Sequence, residues 1–168
     1  MLGPPRGSGV MRGPEVQAVP DRAVLTGKFT EHHSVLSASE YSLYSEVTIH
    51  VDQVFDDRTG RGTLAPGQDI TILFDGGTVI LPGGRVLSHH TEPVDFCLEP
   101  EHKYLLVLSY QREGDFYILE SDWDITDGIV RPNTYRTQSL AKRGLSLLNG
   151  LKAEELGPSV RKLVSQND

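Results

Sequence analysis

Histidines and carboxylates are the residues of this sequence best suited to binding a metal ion. Six histidines occur, and four of them form the adjacent pairs His32-His33 and His89-His90. Neighbouring residues on an extended strand point to opposite faces, so each pair offers one ligand to a shared site. Imidazole and carboxylate groups together suit zinc or a similar ion. One hypothesis is therefore a metal site with the ligands His33, His89, His102 and Glu92.

The metal hypothesis competes with a simpler interpretation, in which these residues are loop histidines at the surface. No His-x-x-x-His spacing places two ligands on one helical face. The choice of ligand within each histidine pair also stays open, with His32 and His90 as the alternatives. Glu101 is the alternative to Glu92 as the carboxylate ligand.

The single cysteine, Cys97, excludes an intrachain disulfide and a zinc site built on several thiolates. Its neighbours Phe96 and Leu98 favour a small buried hydrophobic residue over a reactive thiol paired with His102. The sequence also contains no nucleophile elbow, phosphate-binding loop or His-Glu-x-x-His motif. We therefore predict a chain that is not an enzyme and uses no cofactor.

The run Asp122–Gly128 spaces its carboxylates somewhat like a calcium-binding loop. The twelfth position from Asp122 is Asn133 rather than a glutamate, and no helices flank the run. This favours an ordinary turn that carries solvated acids.

Charge and length exclude some classes of protein. The chain has 168 residues and a net charge of −7, with acids concentrated in 86–130 and bases in 131–168. Net acidity disfavours nucleic-acid binding, and a basic C-terminal segment that folds onto an acidic barrel face explains the asymmetry. No apolar run reaches the length of a membrane span. The sequence leaves the oligomeric state open.

Short apolar segments separated by turn residues predict a mainly β domain. We expect strands at Arg22–His33, Tyr41–Phe55, Gln68–Phe74, Lys103–Tyr110 and Phe116–Glu120, and a hairpin that turns at Pro82-Gly83-Gly84. Gly27 within the first strand indicates a bulge or bend. The predicted core contains Val24, Val47, Ile49, Val51, Ile70, Ile72, Leu105, Val107, Phe116 and Ile118.

The C-terminal segment Ala153–Ser165 spaces Leu156, Val160, Leu163 and Val164 as one face of an amphipathic helix. Gly157-Pro158 interrupts this pattern, which leaves a helix that starts at Pro158 as an alternative.

Taken in chain order, the predicted strands and the glycine turns between them resemble those of uncharacterised bacterial proteins with an OB-like, netrin/TIMP-like β-barrel. The resemblance covers about residues 22–133 and rests on Gly27, Pro66-Gly67, Gly76-Gly77, Pro82-Gly83-Gly84 and Tyr104-Leu105-Leu106. It implies a small barrel and a secreted or periplasmic location, although no leader is visible and a cytoplasmic location stays the alternative. TIMP-type inhibitors depend on an N-terminal cysteine and disulfides, which this chain lacks, so inhibition is not implied.

We therefore expect three parts: a flexible N-terminal tail (1–21), a β-barrel domain (22–133) and a C-terminal extension (134–168) whose amphipathic helix packs on the barrel. Whether the chain starts at Met1 or Met11 stays open. The predicted function is a non-enzymatic interaction module that binds a protein at the cell envelope. The alternative is a metal-binding module that uses the histidines named above.

Overall fold

The computed structural model describes residues 21–37, 42–62, 64–89, 98–134, 137–138 and 148–165. Eight strands and a C-terminal helix lie in this part of the chain. They are β1 (Arg22–Leu36), β2 (Leu43–Asp57), β3 (Asp69–Asp75), β4 (Gly77–Ile80), β5 (Val86–His89), β6 (Lys103–Gln111), β7 (Phe116–Asp124), β8 (Arg131–Pro132) and α1 (Ala153–Ser165). The possible starts Met1 and Met11 lie outside the described residues.

Five of the strands close into a ring. β1 pairs with both β2 and β6, β2 pairs with β3, and β6 pairs with β7, all antiparallel. A short parallel pairing of β3 with β7 closes the ring, while β8 pairs with β7. The predicted small β-barrel with a C-terminal helix is confirmed. Among the described strands, β4 and β5 pair only with each other and form a separate two-stranded sheet.

The barrel interior is filled by one face of each strand. β2 alternates buried and partly exposed residues from Leu43 to Val51, which places Val47, Ile49 and Val51 inside. Ile70 and Ile72 of β3 join them from the neighbouring strand. This period of two is the expected pattern of a strand with one buried face.

A second apolar layer fills the space between the barrel wall and α1. Trp123 of β7 lies fully buried in it with Val160 of the helix. The wall residues Val24, Leu105 and Val107 also belong to this layer, and because their neighbours face the interior, β6 is buried on both sides. The layer explains why the segment Lys103–Tyr110 is almost continuously apolar.

Two of the predicted core residues are placed wrongly. Phe116 is half-buried and Ile118 is exposed, whereas Tyr117 between them is fully buried. Apolar residues occupy both the odd-numbered and the even-numbered positions at the start of this strand, so alternation alone does not decide which set faces inward. The pairing also shifts between Val107 and Leu108, which leaves Glu120 as an extra residue in β7. The other eight predicted core residues are buried.

Gly27 marks a bulge, as predicted, because the β1–β2 register shifts between Thr26 and Gly27. A Cβ at this position would lie 2.4 Å from Ile49 Cγ2 and 2.8 Å from the carbonyl oxygen of His50. The two strands therefore approach each other closely where only glycine fits.

Helix α1 begins at Ala153 and runs through Pro158 without a break, so it does not start at the proline. The Glu155 carboxylate accepts the backbone N–H of Lys152 at 3.1 Å, which caps the first turn. Leu156 anchors that turn in the second apolar layer. In the described part of the chain, no helix has the length and apolar character needed to cross a membrane.

Candidate functional site

The described histidines of the predicted metal site lie on three different segments of the fold. His33 on β1 contacts Glu46 of β2, with 2.7 Å between Nε2 and Oε2. His89 ends β5 opposite Gly77, and His102 precedes β6. Within the described residues, no three histidine, cysteine or carboxylate side chains come close enough to hold a metal ion. Glu92 and His90 lie outside these residues, so a site that includes Glu92 stays a prediction.

His102 joins the turn before β6 to the end of β7. Its Nδ1 lies 2.8 Å from Asp124 Oδ2, and its Nε2 lies 3.4 Å from Glu99 Oε2. The hydrogen bond to Asp124 and the two negative charges raise the pKa of His102 against the opposing effect of burial. Burial raises the pKa of Asp124, but hydrogen bonds from Thr126 and His102 outweigh it and lower that pKa. The pair links two segments that are distant in the sequence, and Cys97, whose pairing with His102 the sequence disfavours, lies outside the described residues.

The acids of the run Asp122–Gly128 do not converge on one point. Asp122 is fully buried and accepts hydrogen bonds from Asn133 Nδ2 at 2.7 Å and the Thr134 N–H at 3.0 Å. Asp127 pairs with Arg131 instead. The expectation of solvated acids is thus wrong for Asp122, because its carboxylate holds the segment after β8 in place. Burial raises the pKa of Asp122 against these hydrogen bonds.

The β4–β5 hairpin has the predicted glycine turn. The Leu81 N–H donates to the Arg85 carbonyl at 2.8 Å, and the Gly84 N–H donates to the Leu81 carbonyl at 3.0 Å. Pro82 presets the first turn position, and Gly83, with a φ of 89°, takes a left-handed conformation that glycine adopts without strain. The turn therefore fixes Ile80 directly opposite Val86.

Serines on β1 and β2 hold the base of the hairpin. The Thr78 N–H donates to Ser34 Oγ at 3.1 Å, and Ser45 Oγ donates to the Gly76 carbonyl at 2.9 Å. A Cβ on Gly77 would lie 2.5 Å from Ser34 Oγ and 2.7 Å from Ser45 Oγ. The hairpin is thus anchored to β1 and β2 at its base.

Apolar side chains are exposed along this hairpin. Ile80 is 75% exposed, Val86 is 59% exposed and Leu87 is 37% exposed. Elsewhere in the described residues, the large hydrophobic side chains that are exposed are Ile118 and Ile129, at 40% each. Ile80 and Val86 lie directly opposite each other on one face, which we refer to as the hairpin surface, whereas Leu87 points to the other face. A groove of about 560 Å³ lies beside it, lined by Leu36, Leu81, Pro82, Arg85, Val86 and Leu87.

A second concavity, of about 390 Å³, lies between β2 and α1. Its charged groups, Asp52 and Lys103, form an ion pair at 3.6 Å. Because these charges neutralise each other, this cleft offers a ligand no unpaired charge. The groove beside the hairpin is the better candidate for a binding surface.

Sequence reasoning found the hairpin but missed its exposed surface. The signal was present, because Val79 and Ile80 are consecutive apolar residues on one short strand and Val86 and Leu87 on the other. Consecutive side chains point to opposite faces, so a two-stranded sheet needs cover on both sides to bury them all. Comparison with known proteins places no further constraint on function: no protein-family model matches the chain, and no curated protein matches it significantly.

Proposed function

We propose that the chain is a non-enzymatic protein-binding module and that the hairpin surface contacts the partner. The observation that supports this proposal is the concentration of exposed aliphatic side chains on one anchored hairpin. Contiguous exposed apolar side chains are a common mark of protein interaction sites. Their burial against a partner would recover hydrophobic free energy that folding of this chain leaves unused.

The closed ring of strands supports the barrel part of the proposed resemblance. OB-like folds are built on a five-stranded, partly open Greek-key barrel, and here β1, β2, β3, β7 and β6 form a ring of five strands. We keep the netrin/TIMP-like assignment and an exported location, at the cell envelope, as parts of the proposal. Because the proposed location is the cell envelope, the partner is searched for in an envelope extract.

Site-specific photo-crosslinking tests the proposal. A photoreactive amino acid replaces Ile80 in one sample and Ile129 in a control sample, since Ile129 is exposed but lies at the bridge to Lys152. Each protein is irradiated in envelope extract, and adducts are identified by mass spectrometry. The captured protein is then purified, and its affinity is measured for the wild type and for Ile80→Ser.

We expect one protein to be captured from position 80 and not from position 129, and Ile80→Ser to weaken its binding. Identical adducts at both positions, or a purified partner that binds Ile80→Ser as tightly as the wild type, would contradict the proposal. An adduct with a second copy of this chain would redirect it to self-association, which sedimentation velocity would then measure.

A further inference from the structure

Arg85 stands apart from the other arginines in the part of the chain that the structure describes. Five of those arginines contact a carboxylate, and Arg161 lies over the Phe55 ring. The five are Arg22, Arg58, Arg61, Arg112 and Arg131. Arg85 has neither kind of contact among these residues, and it lines the groove beside the hairpin. The guanidinium is therefore available to a group that enters the groove.

The surroundings of Arg85 define the chemistry of that group. The rest of the groove is lined by aliphatic side chains and a proline, among them Leu36 of β1 and Leu87 of β5. A guanidinium offers a planar fork of donors that matches a carboxylate in two parallel hydrogen bonds. A bound segment that covers the groove would exclude water from such a pair and so strengthen it.

We propose that this groove binds an extended segment of the partner protein in which a single carboxylate lies between aliphatic side chains. The inference rests on the proposed function, because it takes the hairpin surface as the place of contact. β5 is four residues long, so it matches a segment of about four residues. The chain's net charge of −7 disfavours a segment with several acids and also opposes binding of a second copy.

Peptide titrations followed by NMR test this inference on the full chain. The probes are two capped peptides with two aliphatic residues on each side of a central glutamate or glutamine, and polar ends for solubility. The ¹⁵N-labelled proteins are the wild type, Arg85→Gln and the control Lys162→Gln. Lys162 is an exposed cation on α1 without an ion pair among the described residues, so its loss changes net charge by the same amount.

We expect the glutamate peptide to shift amide signals of β4, β5 and Leu36, and to bind about fivefold more tightly than the glutamine peptide. Arg85→Gln should abolish this preference, and Lys162→Gln should keep it. Because Arg85 is exposed, we expect Arg85→Gln to leave the amide signals of barrel residues unchanged. Unchanged barrel signals will show that this variant keeps the fold.

Equal binding of the two peptides to the wild type would overturn the inference, as would a preference that survives in Arg85→Gln. Absence of peptide-induced shifts in β4 and β5 would also overturn it. If photo-crosslinking at position 80 still captures a partner in any of these cases, the proposed function stands and only the assigned partner chemistry fails. If crosslinking fails while the glutamate peptide binds as expected, the groove chemistry is supported and the choice of extract is wrong.

Discussion

All four residues of β5 in the hairpin are exposed, whereas five consecutive residues of β6 in the barrel wall are buried. Both segments are rich in aliphatic residues, so composition does not explain the difference. β6 lies between the barrel interior and the layer under α1, while β5 has only β4 as a strand partner within the described residues.

The comparison shows that this fold buries the apolar side chains of β6 and leaves those of β5 exposed. Burial of one large aliphatic side chain contributes roughly 1.5–3 kcal/mol. The barrel gains this contribution on folding, whereas the exposed side chains of the hairpin gain only part of it. Substitutions in the barrel should therefore lower stability, and those on the hairpin should lower binding. The following predictions test this separation in order of decreasing effect on stability.

Trp123→Ala should lower the free energy of unfolding by about 3–5 kcal/mol, because it empties the layer between the barrel wall and α1. Urea unfolding measures the loss. The matched control is Ile118→Ala on the same strand, whose side chain faces outward and whose effect should stay within about 0.5 kcal/mol. Both side chains lie on the outer face of β7, so similar losses in the two variants would contradict the contrast between Trp123, which α1 covers, and Ile118, which stays exposed.

Asp122→Ala should lower the free energy of unfolding by about 1–3 kcal/mol. It leaves the buried Thr134 N–H and the Asn133 amide without their acceptor. Asp127→Ala, which removes an exposed carboxylate paired with Arg131, serves as the control and should cost at most about 1 kcal/mol. Thermal and urea unfolding of both variants will show whether the buried carboxylate is the more important of the two.

The stabilisation by His102 should depend on pH. Its pKa in the folded state is raised above 6.5 by the hydrogen bond to Asp124, so its contribution is complete below pH 6.5 and is lost as pH rises through the folded pKa. The pKa of Asp124 is lowered below 3.8, so its contribution is lost only as pH falls through that lower value. His102→Gln should therefore destabilise the protein most at a pH between the lowered pKa of Asp124 and 6.5.

Urea unfolding of the wild type and His102→Gln at about pH 5.5 and about pH 8.5 measures this dependence. The loss caused by the substitution should be larger at the lower pH. Glu99 also faces His102, so part of the dependence should persist when Asp124→Asn is the background. An equal loss at both pH values would show that the pair is not charged in the folded protein.

Ile80→Ser should change the free energy of unfolding by no more than about 0.5 kcal/mol, the smallest effect in this series. Its side chain is already three-quarters exposed, so the folded state gives up little buried area. Val47→Ser, at a fully buried position of the barrel, provides the contrast and should be clearly destabilising. A large loss of stability in Ile80→Ser would mean that the hairpin surface is covered within the chain.

Much of the fold follows from local sequence patterns. The alternation of Val47, Ile49 and Val51 predicts the buried face of β2, and Pro82-Gly83-Gly84 predicts the hairpin turn. Gly27 predicts the bulge in β1. Each of these depends on a period of two or on a backbone conformation special to glycine and proline, and neighbours in the sequence carry that information.

The candidate site was less accessible from sequence. The hairpin was predicted, but whether Ile80 and Val86 would be covered depends on which other elements reach them. The same limitation explains the errors at Ile118 and Asp122. A residue is buried or exposed because of elements distant in the sequence, such as β3 beside Ile118 or Thr134 beside Asp122.

The amino-acid sequence by itself determined the class of the domain, the order of its strands and the amphipathic helix at its end, since these depend on short-range periodicity and on turn residues. Only the tertiary structure decided which strand closes the ring, which face of β7 is inward and which apolar residues stay exposed. Those outcomes depend on long-range pairing and on the space left between packed elements. Arg85 illustrates both levels: its charge follows from the sequence, whereas its place beside the groove, without an ion pair among the described residues, is seen only in the structure.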